Sequence, residues 1–318
     1  MTFTPSTDHD WTIHSLNIHG TFFERWCANE IKRHPYWRLR DTQYPVAFSR
    51  VTGPLQRAAG HESTLDIRAE MSYGDGRLLT LLIECKKNNP EFVDWIFFSK
   101  PHSAGLSQFI APGISCPTAT STGKPERHKL RPMLKELYFD MPLTDDARET
   151  RGDYQNIRQQ IKTKTANDSI SSGAHQIALA TQAIFVEEGS NNLPSSPIKG
   201  ASRRVVEKQV LFPVIVTTAR LRLCNFEPNH VSASERTIAY DKVTLTETPY
   251  LIFQYPLPVH LHLDKGHLLL LSSTRYAASI VRMDMFIVNS NHFTEFLQSF
   301  HQRFSDLFYD MDAKDDQV

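Results

Sequence analysis

The chain has 318 residues, 40% apolar and 22% charged, and its 35 basic and 35 acidic residues balance to a formal net charge of zero. That length admits one large domain or two smaller ones, and the composition supplies a sizeable core and excludes global disorder. Zero net charge excludes a protein that coats nucleic acid by bulk charge, so any such contact must be local; Asp306, Asp310, Asp312, Asp315 and Asp316 carry part of the negative count and leave the rest mildly basic.

Along the chain, Phe22, Phe23, Trp26, Cys27 and Ile31 recur at helical spacing after His19-Gly20-Thr21 and stop at His34-Pro35. This predicts a first helix with Thr21 as its N-cap. Tyr44 to Val51 is aromatic and branched and ends at Gly53-Pro54, which predicts a strand. Thr64 to Tyr73 and Arg77 to Lys86 read as two further strands joined by the hairpin signal Gly74-Asp75-Gly76.

From Lys87 to about Thr165 the pattern weakens into prolines, serines and mixed charges, apart from aromatic Asp94 to Phe98 and a helical stretch near Met133 to Phe139. Ser171-Ser172-Gly173 then leads into a buried helix from His175 to Phe185, and Gly189 to Gly200 reads as a loop. Leu211 to Val216 predicts a central strand with Pro213 at or near its start. Tyr250 to Tyr255 and Ser279 to Val288 predict two more strands, and His292 to Phe308 an amphipathic helix.

The four cysteines, Cys27, Cys85, Cys116 and Cys224, are scattered without a CxxC pair or zinc spacing, and read as free thiols in a reducing compartment. No charged segment followed by an apolar stretch opens the chain, and no apolar run approaches the roughly 18 residues of a membrane span. The expectation is a cytoplasmic protein with no membrane partner.

The informative segment is Leu65-Asp66-Ile67, the glycine hairpin, and Leu82-Ile83-Glu84-Cys85-Lys86. Strand side chains alternate faces, so Glu84 and Lys86 share one face and Ile83 and Cys85 the other. Counting outward from a three-residue hairpin loop pairs Tyr73 with Arg77 and, further along, Asp66 with Glu84, with β-carbons roughly 5 Å apart. Opposed carboxylates repel unless something positive lies between them, and Mg²⁺ (or Mn²⁺) prefers such hard oxygen ligands. Lys86 on the same face is suited to act on an attacking water or on charge developing at a phosphorus centre. The plain alternative for Glu84 and Lys86 is an exposed cross-strand ion pair. Against it, Leu78 to Ile83 is apolar on both faces, which marks a central strand whose charges come at a buried end.

In these residues the sequence resembles the PD-(D/E)XK (restriction-endonuclease-like) nuclease superfamily, over about Gly20 to Asn88 and Ser172 to Cys224. Asp66 matches the family aspartate and Glu84-Cys85-Lys86 its (D/E)XK element, while Leu65 stands where a proline is usual. Glu24 occupies the place of a first-helix glutamate and Gln176 that of a glutamine on the helix after the third strand. The resemblance implies an α/β fold with a mixed central sheet, whose core is a helix, three antiparallel strands, a helix and a strand. On that reading residues 1–88 and 171–225 form the core, 89–170 an insertion or cover, and 226–318 a C-terminal strand and helix extension. It further implies a metal-dependent nuclease, with Asp66, Glu84 and Glu24 toward Mg²⁺ or Mn²⁺, Lys86 assisting water and Gln176 orienting the site. DNA as substrate and a setting in prokaryotic defence or mobile-element biology rest on the same resemblance.

Competing readings are an RNA or repair nuclease on the same fold, and a catalytically inactive nucleic-acid-binding or partner-recruiting subunit. A homodimer or a larger complex is compatible with either. Lys87, the run Lys124, Arg127, Lys129 and Arg131, and the pair Arg203-Arg204 are candidate phosphate contacts or solvated surface. His260, His262 and His267 show strand-like alternation that suits either two imidazoles on one face, as in a metal site, or polar positions on an outer strand. Trp95, Phe97 and Phe98 suit either the core or base stacking.

Overall fold

The structure is a computed structural model and describes residues 12–13, 20–48, 61–73, 77–88, 94–99, 114–116, 141–150, 169–191, 208–261 and 282–302. Helix α1 (Thr21–Arg33) leads into β1 (Arg38–Phe48), β2 (His61–Tyr73) and β3 (Arg77–Lys86). Next come β4 (Asp94–Ser99), β5 (Ile114–Cys116), β6 (Leu143–Thr150), helix α2 (Ser169–Asn191), β7 (Lys208–Thr217) and β8 (Arg220–Phe226). Strands β9 (Val243–Glu247), β10 (Tyr250–Pro256) and β11 (Arg282–Asn289) follow, and residues 293–302 begin a helix, α3.

All the described strands join one mixed sheet, so the chain is α/β, with the order β1-β2-β3-β7-β11-β10-β6-β4-β8-β9 and β5 lying along β7. Strands β1, β2 and β3 are antiparallel neighbours, and β7 runs parallel to β3 from Arg77 opposite Lys208 to Lys86 opposite Thr217. The return from β3 to β7 therefore passes through a crossover that contains α2.

Alternation along the central strands sorts side chains into two cores. Leu79, Leu81 and Ile83 of β3, with Val210, Phe212, Val214 and Val216 of β7, pack against Phe23, Cys27 and Ile31 of α1 and Phe293, Phe296 and Phe300 of α3. Leu82, Leu211 and Ile215 face the other way, onto Ile177, Ala178 and Ile184 of α2. The sheet is thus covered on both faces, which is why β3 and β7 read as continuous apolar runs.

Beyond β7 the sheet curls. Strands β7 and β8 are five strand spacings apart along the sheet, roughly 24 Å if it were flat. Yet only Thr218 and Ala219 separate them in the chain, and that link spans at most about 11 Å. Asn289 Nδ2 pins the link by donating to the Ala219 carbonyl at 2.6 Å.

Several sequence expectations shift. The α1 cap is Gly20, left-handed at φ 78°, and its carbonyl accepts from Phe23 and Glu24, so Thr21 is the first helical residue. Strand β1 starts at Arg38, six residues before the apolar signal at Tyr44, because an edge strand can be polar. Helix α2 starts at Ser169 and takes in Ser171-Ser172-Gly173. Pro213 lies mid-strand opposite Leu82, not near the strand start. On its other side, β5 pairing ends at Leu211 and β11 pairing begins at Val214, so Pro213 sits where no ladder amide is required of it. Within 89–170, β4, β5 and β6 are strands of the sheet, with β6 beside β10, β4 beside β8 and β5 along β7. The hairpin Gly74 to Gly76 and the stretch Met133 to Phe139 lie outside the described residues.

Candidate active site

The site forms where β2 and β3 part. Their ladder runs from Tyr73 opposite Arg77 to Ile67 opposite Ile83, so Asp66 and Glu84 are the next facing positions. There the Cys85 amide donates to Asp66 Oδ2 at 2.7 Å. The aspartate side chain accepts a strand amide where the ladder has ended, and its other oxygen turns to Gln43.

Glu84 lies on the α2 face and is only 3% exposed. Its Oε1 is 2.8 Å from Lys86 Nζ, and its Oε2 is buried with no hydrogen-bond partner among the described residues. Burial, reinforced by the negative charge of Asp66, raises the Glu84 carboxyl from its ordinary 4.5 to about 7 despite the lysine. An ion pair and a half-neutral carboxyl conflict only superficially, because one monovalent partner does not offset both burial and a second carboxylate.

Lys86 also donates to Gln176 Oε1, which fixes the ammonium between β3 and α2. This contact depends on Gly173, one turn earlier in α2. A β-carbon there would lie 3.0 Å from Lys86 Cε and 3.2 Å from its Cγ, tighter than most β-carbon contacts, so the lysine stem would have to give way. Glycine lets the helix backbone approach the lysine stem.

Glu24, in the first turn of α1, is half-buried and reaches the site through Gln43, whose Nε2 is 2.7 Å from Glu24 Oε2 and 3.4 Å from Asp66 Oδ1. Burial first and then Asp66 raise the Glu24 carboxyl, and burial raises that of Asp66. Lys87 is exposed, and its Cβ lies 3.8 Å from where a β-carbon on Gly20 would stand.

Lys86 thus joins Glu84 to Gln176, Gln43 joins Glu24 to Asp66, and the Cys85 amide ties Asp66 to β3 between Glu84 and Lys86, so that the five residues come from α1, β2, β3 and α2. Among the described residues no three His, Cys, Asp or Glu side chains enclose an ion by themselves. The donor set nevertheless fits a hard cation, since hard cations bind through oxygen and one carboxylate oxygen here is buried with no partner among the described residues.

Gln43 and Gly173 were not legible as site residues. Gln43 carries no sequence signal, because its place depends on the β1–β2 register. Gly173 does: a glycine inside a helix marks a close approach, but this one was masked by two serines that resemble a loop. The Cys85 thiol meets Cys27 of α1 on the opposite face of the sheet, and that contact and burial push it well up, leaving Cys85 unsuited to nucleophilic attack.

The remaining candidates separate from the site. Trp95 and Phe97 are fully buried core, and Phe98 packs on Phe226. Residues 259–261 form a 3-10 turn rather than a strand, with the His260 ring 5.3 Å from that of His175; His262 and His267 lie outside the described residues. Lys124, Arg127, Lys129, Arg131, Arg203 and Arg204 also lie outside them. No helix among the described residues is long and apolar enough to cross a membrane. Comparison with known proteins found no match to any family model, curated protein or solved structure.

Proposed function

We propose that the chain is a divalent-metal-dependent nuclease with a restriction-endonuclease-like core, formed by α1, β1 to β3, α2 and β7. The observation that carries this reading is the Glu84 carboxylate beside Asp66, held by Lys86 through one oxygen and, among the described residues, buried without a partner at the other. A buried anion next to a second anion is costly in a purely structural role, and such groups mark functional sites.

On this reading Asp66 and Glu84 hold Mg²⁺ or Mn²⁺, with Glu24 contributing from α1 and waters and phosphate oxygens completing the shell. When bound, the cation supplies Lewis-acid chemistry to a phosphodiester and lowers the pKa of water. Lys86, oriented by Gln176, places a positive charge where negative charge develops during hydrolysis. Exposed Arg25, Lys32, Arg40 and Lys87 give α1 and the ends of β1 and β3 a basic surface suited to phosphates. DNA as substrate, and defence or mobile-element biology as setting, rest on the sequence resemblance.

Incubating the purified protein with plasmid, single-stranded DNA and RNA, each with Mg²⁺, Mn²⁺ or EDTA, tests the proposal. Cation-dependent cleavage of at least one substrate is expected. No cleavage of any of them would overturn the activity.

A further inference from the structure

The backbone of Gln43 is as informative as its side chain. Its φ is 53°, and among the described non-glycine residues only Arg236 shares a positive φ. Left-handed backbone is strained for a residue with a β-carbon, and it persists where the surroundings over-determine it. Here β1 has already slipped register at Arg40, so that Thr42 faces Ile67 and Tyr44 faces Leu65, which leaves Gln43 directly opposite Asp66. The two hydrogens of its amide serve two acceptors, Glu24 Oε2 and Asp66 Oδ1. A neutral amide cannot cancel the repulsion between those carboxylates, but it can hold them at fixed positions while they face one another.

We propose that Gln43 is a positioning residue that clamps Glu24 of α1 to Asp66 of β2, so that oxygen donors from both elements stand ready for one divalent cation. The inference rests on the nuclease reading and adds to it a route by which α1 raises cation affinity. An amide suits this role better than a carboxylate, which would add a third negative charge, or an apolar side chain, which would release Glu24 toward solvent. The β-bulge and the left-handed turn then serve one purpose, the aim of a single side chain into the gap between helix and strand.

The test is Mn²⁺ binding, by calorimetry without nucleic acid, to the full chain and to Gln43→Gly, Gln43→Leu and Glu24→Gln. Gln43→Gly is the cleaner variant, because glycine tolerates the local backbone and only the amide is lost. Both Gln43 variants are expected to weaken Mn²⁺ binding about tenfold or more, the usual effect of removing a group that orients metal ligands. The thermal midpoint of Gln43→Gly in EDTA should be unchanged or higher, which a merely structural role would not allow. Glu24→Gln added to Gln43→Gly should cost little further affinity, since the clamp is already gone. If the unaltered chain binds Mn²⁺ and Gln43→Gly binds it equally well, the clamp is refuted and the nuclease reading stands. If the unaltered chain binds no Mn²⁺, both fall.

Discussion

Lys86 Nζ stands 2.8 Å from one oxygen of Glu84 while the other oxygen of that carboxylate is buried without a partner among the described residues, so the lysine satisfies half of a group that burial has made costly to ionise. What satisfies the other half depends on pH and on cations.

Consider first pH. Glu84 titrates near 7 in the folded protein against an ordinary 4.5. A raised folded pKa means that the fold favours the protonated form, so this contribution to stability is full below about 4.5 and is lost as pH rises through about 7. Metal-free protein should lose on the order of 1–3 kcal/mol of stability between pH 5 and pH 8 from this group. Glu84→Gln should flatten that slope and stabilise the metal-free protein at pH 8. Denaturant titrations in EDTA would measure both, and parallel slopes for the two proteins would show that Glu84 is not the responsible group.

Cation affinity should move the opposite way. A cation bound at the proposed site would displace the Glu84 proton, so Mn²⁺ binding should tighten as pH rises through about 7, and the thermal stabilisation given by Mn²⁺ should grow with it. Glu84→Gln should lose most of that stabilisation. A variant stabilised by Mn²⁺ as strongly as the unaltered chain would remove Glu84 from the ligand set.

Gly173→Ala tests the close approach of α2 to Lys86. Alanine is the better helix former by about 0.5–1 kcal/mol, which offsets part of the crowding against the lysine stem. Stability should therefore change by only about 1 kcal/mol in either direction, while cleavage falls on the order of tenfold or more, because the ammonium is displaced from its place between Glu84 and Gln176. Full activity with normal stability would show that the lysine finds the same position regardless.

Much of this arrangement was legible in the sequence, for identifiable reasons. Period-2 alternation put Glu84 and Lys86 on one face, and counting outward from the Gly74-Asp75-Gly76 signal gives the register seen from Tyr73 opposite Arg77 to Ile67 opposite Ile83, one step short of Asp66 and Glu84. The apolar run Leu78 to Ile83 announced a strand covered on both faces, as α1 and α2 cover it. What escaped depends on non-local geometry. The β1 bulge that aims Gln43 and the switch of neighbours that accommodates Pro213 are set by partner strands, and neither leaves a periodic trace. The incorporation of β4 and β6 into the sheet was hidden for the same reason, since their partners β8 and β10 lie far away in sequence.

Lys86→Arg distinguishes two roles for the lysine. Arginine keeps the positive charge but is effectively never deprotonated, so it can neutralise developing charge and cannot serve as a general base. The position of Lys86 against Glu84 and Gln176 favours the charge role, and Lys86→Arg should retain measurable cleavage if the bulkier head is accommodated beside Gly173. Substantial activity would rule out the base role.

The most direct measurement compares the unaltered chain with Lys86→Ala on whichever nucleic acid is cleaved, with binding measured separately in Ca²⁺ or without a cation. In the proposed role Lys86 acts on charge that appears only during hydrolysis, so cleavage should fall by a factor on the order of a hundred or more, while substrate affinity changes only a few-fold. Cleavage by Lys86→Ala at the unaltered rate, with contaminating nuclease excluded, would contradict the assignment of this site.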